Sequence, residues 1–198
     1  MTVRMAPAAR REVIIDAALA VMVRRGLAAT TVRDVAEEMG GSPGLVHHYF
    51  ASMDELLETA FERAAEVGLV QTRAAMALVA DPAGKLRAFF ASYTRAEQDW
   101  AFQLWLDAWA EAARRPAVRA TSYRLNVAWQ QVLVDVIHEG VEAGAFTCRD
   151  PEASAWRILS LLDGLALQTV AHHVAVGRES VVSWSMAYAQ QEVGYGAD

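Results

Sequence analysis

Cysteine is almost absent: Cys148 stands alone in 198 residues, so no internal disulfide can form, and a reducing cytoplasm is the compartment that fits best. Proline and glycine are also few, at five and twelve, while 54% of the residues are hydrophobic and 21% charged, a balance that excludes a mostly disordered chain. No apolar run reaches the roughly 18 residues of a membrane span. The opening segment MTVRMAPAARREV lacks the apolar stretch of a secretory signal, so the expectation is a soluble intracellular protein. Missing too are a glycine-rich phosphate loop, zinc-ligand spacing, and a histidine placed to activate Cys148. The sequence therefore offers no catalytic residue and no cofactor, and it points away from an enzyme. The pairs His47-His48 and His172-His173 do not make a metal site, because neighbours on a helix point about 100° apart and chelate one ion poorly.

Charge is short in total but unevenly placed. The formal net charge is −6, yet residues 1–50 hold six arginines against five acids, and the rest of the chain holds twelve bases against nineteen acids. The first quarter is electrically distinct, although phosphate binding depends on clustered cations rather than on a sum.

Apolar residues recur at helical spacing nearly everywhere and no segment alternates with period two, which reads as an all-α fold of about nine helices. The first is expected over 9–25, with Val13, Ala17, Leu19, Ala20 and Val21 or Val23 inward, stopped by Arg24-Arg25-Gly26. Thr31 and Asp34 have capping-box spacing before a short helix over 32–39 that ends at Gly40-Gly41. Ser42 then caps a helix over 43–49 with Pro43 at its first position. Ser52 to Glu55 opens a long helix running to about residue 79, with a bend expected near Gly68. Further helices are expected over 82–98, 100–114, 116–143, 151–175 and 179–191.

Two short capped helices joined by a glycine-containing turn are what a DNA-reading helix-turn-helix requires. Val35, Ala36 and Met39 should face inward from the first, and Val46, Tyr49 and Phe50 from the second. Residues 9–61, above all the run from Thr30 to Gly40 followed by Ser42-Pro43-Gly44-Leu45-Val46-His47-His48-Tyr49-Phe50-Ala51-Ser52, resemble the DNA-binding domain of the TetR family. Gly41 departs from the family's usual apolar residue, and Met53 from its usual phosphate-touching Lys. The resemblance implies a DNA-binding domain over 1–52 and a helical ligand-binding and dimerisation domain over 53–198. It implies a cytoplasmic, bacterial transcriptional repressor, associated with the nucleoid when bound, that holds a palindromic operator as a homodimer and releases it on binding a small effector. It places Pro43, Gly44, Leu45 and His47 near base edges, and Thr31, Ser42, His48 and Tyr49 on phosphates. Arg33 is singled out by its charge for a phosphate or guanine contact. Leu45 offers only apolar contact, so some specificity should come from DNA shape.

In the C-terminal part, Trp105–Ala112, Gly140–Phe146 and Leu161–Gln168 look like the choline and betaine repressor subgroup of that family. Phe102, Trp105 and Trp109 form a helical stripe, either core or the wall of a ligand cavity. With Trp129 and the carboxylates Asp107 and Asp163 they make a candidate site for an effector that is either cationic, such as a quaternary ammonium or polyamine, or aromatic. By resemblance the last two helices form a four-helix dimer interface, with Ile158, Leu162, Leu165, Val181, Trp184 and Tyr188 as candidates and Gly164 allowing close approach. Two other readings stay open: a DNA-binding dimer without an effector, and a helical interaction module.

Overall fold

The computed structural model describes residues 5–94, 99–172 and 176–196; Arg4, counted in the charge above, and His173 lie outside them. Among the described residues there are nine α-helices, one short 3-10 turn and no strand. The helices are α1 Pro7–Arg25, α2 Val32–Glu38, α3 Pro43–Tyr49, α4 Met53–Ala77, α5 Pro82–Ala91, α6 Asp99–Ala112, α7 Pro116–Glu142, α8 Pro151–His172 and α9 Arg178–Glu192. No described helix is long and apolar enough to cross a membrane.

The chain divides into two compact units, one of residues 1–66 with 103–124 and one of residues 67–102 with 125–198. Helices α4, α6 and α7 each contribute to both.

In the first unit α1 starts at Pro7, two residues before the expected boundary, because proline at the first helical position lacks only an N–H that has no intrahelical partner anyway. Its buried face is Ile14, Ile15, Ala17, Ala18, Val21 and Met22. Ala17 and Val21 are buried as expected, whereas Val13, Leu19 and Ala20 are only half-buried and Val23, the alternative to Val21, is exposed. The buried phase is set by Ile14 and Ile15 together with Ala18 and Met22. Leu27, Val35, Ala36, Val46, Phe50, Leu56, Leu57 and Phe61 complete this core with almost no exposure.

In the second unit the core comprises Leu86, Phe89, Phe90, Leu125, Leu133, Ile137, Phe146, Ile158 and Leu162. Asp81 caps α5 by accepting the Gly84 N–H at 2.6 Å. Helix α5 ends at Ala91, short of the expected 98. The Ser92 hydroxyl donates back to the Phe89 carbonyl at 2.6 Å, and the chain tightens into the 3-10 turn Ser92–Thr94. The rest of that expected helix, 95–98, and residues 173–175 of the expected eighth helix lie outside the described residues.

Candidate DNA-reading surface and effector site

The short helices of the first unit are fixed by local hydrogen bonds rather than by length, since seven residues cannot hold a helix alone. The Thr31 hydroxyl accepts the Asp34 N–H and the Asp34 carboxylate accepts the Thr31 N–H, a complete capping box for α2. Thr31 also donates its hydroxyl proton to that carboxylate, and this bond holds Asp34 below the usual carboxylate range. Gly40, at φ +64°, makes the turn that an L side chain would strain. Gly41 stands beside the Met39 side chain, whose Cε would lie 3.2 Å from an added Cβ; the apolar residue usual in the family fits here only if Met39 moves. The Ser42 hydroxyl then accepts the Leu45 N–H at 3.3 Å and opens α3.

Helix α3 is anchored by Val46 and Phe50, both buried, and the Arg11 guanidinium of α1 lies 4.6 Å from the centre of the Phe50 ring. Pro43, Gly44, His47 and His48 are exposed, Leu45 and Tyr49 half-buried, and the Tyr49 ring meets the His48 ring edge-on at 5.1 Å. Thr31, Arg33 and Ser42 are exposed as well, so all nine residues expected to touch DNA lie on or near the surface of this unit. The basic pair at the end of α1 is spent internally: Arg24 pairs with Glu38 and Arg25 with Asp34, tying α1 to α2. Arg33, by contrast, has no ion pair or hydrogen bond to another described residue.

The six residues expected around an effector divide evenly between the units. Trp105 and Trp109 belong to the first, where Trp105 meets Phe61 edge-on at 5.0 Å and Trp109 at 5.6 Å. Asp107 is there too, with both carboxylate oxygens engaged: Oδ2 accepts the Leu27 N–H at 3.0 Å and Oδ1 accepts from Gln103 at 2.8 Å. Both bonds fall within the first unit, so Asp107 supports that unit's own structure.

Phe102, Trp129 and Asp163 belong to the second unit; Phe102 and Trp129 gather around a residue that was not singled out, Tyr93 of the 3-10 turn, and the Asp163 charge acts on it. Tyr93 stacks on Phe102 with centroids 5.6 Å apart and planes at 25°, and it meets Trp129 at 5.9 Å. Phe89 closes the group, 5.7 Å from Tyr93 and 6.0 Å from Trp129. The sequence signal that could have found it is the i, i+4 spacing of Phe89 and Tyr93. Asp163 of α8 makes no ion pair or hydrogen bond with a described residue, and burial raises its pKa to about 7. Burial, and next the Asp163 charge, push the Tyr93 phenol well above its usual value. The Trp129 indole N–H is sealed from solvent without an acceptor. Buried polar groups are normally paired, so a carboxylate with no partner among the described residues, acting electrostatically on Tyr93, together with an unsatisfied donor in the ring cluster, is an arrangement that a ligand could complete.

On the last two helices the expected interface residues separate by burial. Ile158, Leu162 and Val181 are at most 3% exposed within this one chain and cannot also face a partner. They lie on the α8 and α9 faces that form the unit's own core. Leu165 and Tyr188 are half-buried and Trp184 is 53% exposed. The outward stripe of α8 holds Trp156, Ser160, Gly164 and Leu167, and a Cβ added at Gly164 would meet nothing within 4 Å.

Residues 14–60 match the family described as bacterial regulatory proteins, tetR family, and residues 82–194 match the C-terminal domain described as BetI-type transcriptional repressor. The HTH-type transcriptional regulator BetI of Paraburkholderia phytofirmans is 36% identical over 124 residues, 59% of this chain and 64% of its own length. The chain thus spans just under two thirds of that relative. The HTH-type transcriptional repressor KstR2 of Mycobacterium tuberculosis is 30% identical over 69% of each chain. Among solved structures, a transcriptional regulator from Saccharomonospora viridis in complex with choline shares the fold with a TM-score of 0.86, at 22% identity over 94% of this chain and 98% of its own.

Proposed function

Because this chain belongs to the TetR family of bacterial regulatory proteins, with a C-terminal domain of the BetI type, we propose that it represses transcription by binding a palindromic operator as a homodimer and releases the DNA when an organic cation binds. The family is one of transcriptional regulators, not enzymes. In this reading residues 1–52 are the DNA-binding part, residues 53–198 hold the effector and the dimer contact, and the protein works in the cytoplasm on the nucleoid. Helix α3 enters the major groove with Pro43, Gly44, Leu45 and His47 towards the bases. Thr31, Ser42, His48 and Tyr49 hold phosphates, and the unpaired Arg33 supplies the charged contact. One such helix binds weakly, so two half-sites are needed. The outward stripe of α8 and α9 with the exposed Leu167 and Trp184 and the half-buried Leu165 and Tyr188, and Gly164 where backbones must approach, is the surface for the second copy.

The observation that carries the effector reading is Asp163, a half-buried carboxylate with no partner among the described residues, whose charge acts on Tyr93 of the ring cluster formed with Phe102 and Trp129. Ring faces and an anion together favour a cation whose charge is spread over carbon, and the orphaned Trp129 N–H favours one that also carries an oxygen acceptor. Choline, found in the structurally similar Saccharomonospora viridis regulator, has both features.

The test is selection of random duplex DNA on the purified protein, followed by release of the recovered duplex with choline and with its uncharged carbon isostere, 3,3-dimethylbutanol. The expected result is a palindrome, bound by a dimer, displaced by choline and not by the isostere; Arg33→Ala with His47→Ala abolishes binding and leaves the dimer intact. Sequence-blind binding would refute the operator reading. Release by neither compound, with choline leaving the melting temperature unchanged, would leave an effectorless DNA-binding dimer in which the rings are core.

A further inference from the structure

Two attachments that the DNA-reading surface does not itself need stand at the two ends of the helix-turn-helix. At the entry, Asp107 of α6 accepts the Leu27 N–H across 80 residues of sequence. The carboxylate comes so close to the backbone that a Cβ on Gly26, at φ +84°, would lie 3.1 Å from Oδ2. Leu27 is fully buried, and the turn behind it is closed by the Thr30 hydroxyl donating to the Gly26 carbonyl at 2.8 Å. Thr31, the cap of α2, follows directly. At the exit, Asp54 in the first turn of α4 pairs with Arg115, whose Nε donates to Glu111 of α6 at 2.9 Å. Glu111 is only 8% exposed, so this carboxylate depends on its arginine partners. The chain between Leu27 and Asp54 contains both α2 and α3. Asp107 and Glu111 are one turn apart on one face of α6.

We propose that α6 clamps the helix-turn-helix at both ends, and that Asp107 at its entry and Arg115 at its exit are positioning residues that set the orientation of α3 for specific DNA reading. Neither side chain is among those expected to touch DNA. Local caps alone hold α2 and α3 as helices, but they do not fix where the pair points. A charge-assisted bond to a backbone amide does, because its donor cannot rotate away as a side chain can. The same helix begins with residues that include Phe102 of the aromatic group, so the element that holds the reading head also carries a wall of the proposed effector site.

The proposal rests on the DNA-binding reading above, and the two fail separately: if the wild-type protein selects no duplex, that reading fails before any variant is made. With a selected duplex in hand, affinity is measured for it and for an unrelated duplex of equal length. Asp107→Ala is expected to lose at least about tenfold in affinity for the selected duplex, the scale of one charge-assisted hydrogen bond. Binding to the unrelated duplex should stay within about twofold, since the phosphate contacts persist. Asp107→Asn keeps an acceptor for the Leu27 N–H and is expected to restore specific binding, and Arg115→Gln to lose it as Asp107→Ala does. Specific binding by Asp107→Ala within twofold of wild type, or an equal fall on both duplexes, would overturn the proposal. If Asp107→Ala does not fold, amide exchange in the wild-type protein decides: Leu27 is expected to exchange as slowly as Val21 in α1, and exchange as fast as Ala28 overturns the clamp.

Discussion

Replacing Asp163 with asparagine tests the electrostatics of the second unit without reference to DNA. Its pKa is raised to about 7 by burial, against about 3.9 for a free carboxylate. A carboxylate raised in the folded state is the reverse of the usual case. Between about pH 4 and 7 the folded protein binds more protons than the unfolded chain, so this group makes stability fall as pH rises through that window and then level off. About three pKa units at 1.36 kcal/mol each give a penalty of about 4 kcal/mol at pH 8. Asparagine removes it and leaves a buried amide to satisfy, at a cost of about 1–3 kcal/mol. The net expectation is a ligand-free variant more stable than wild type by about 1–3 kcal/mol at pH 8, an increase of roughly 3–9 °C in melting temperature for a chain of this size. At pH 4 the gain vanishes. Cation binding should move the other way. The ionised fraction of wild-type Asp163 falls from about 0.9 at pH 8 to about 0.1 at pH 6, so choline affinity should drop about tenfold over that range in wild type. In Asp163→Asn it should be weak and flat. Calorimetric melts and choline titrations at pH 6 and 8 read both effects. A variant that melts lower than wild type at pH 8 would refute the reasoning, because it would mean that the carboxylate is paired or solvated in the folded protein.

Two further substitutions test packing and assembly. Gly140→Ala would push a Cβ into the Phe146 ring, which packs directly on Gly140; overpacking of this kind should cost about 1–3 kcal/mol in thermal or urea unfolding, with choline binding retained. Trp184→Glu places a charge on the outward stripe of α9, where Trp184 is 53% exposed; light scattering should find a monomer that keeps its helical content, whereas a persisting dimer would move the interface elsewhere.

The helix-turn-helix was legible because its information is local. Thr31 with Asp34, Ser42 with Pro43, and Gly40 each act within four residues, and the structure forms all of these caps and turns where the sequence places them. The all-α class followed from periodicity, which is local as well. The ring and carboxylate residues proposed for an effector were legible as residue types, but which of them come together was not. Phe102 and Trp105 share a helical stripe in the sequence, yet the first stacks on Tyr93 and the second packs on Phe61.

Spacing along a helix tells which residues share a face and says nothing about what that face meets. The sequence by itself therefore determined the helical class, the caps of the two short helices and the residues proposed to read DNA. Only the tertiary structure decided that Asp107 accepts the Leu27 amide while Asp163 has no partner among the described residues. It likewise decided that Ile158, Leu162 and Val181 are core while Leu167 and Trp184 face outward. A carboxylate's partner and an apolar residue's burial are set by contacts between segments far apart in the chain, and a short-range pattern does not encode them.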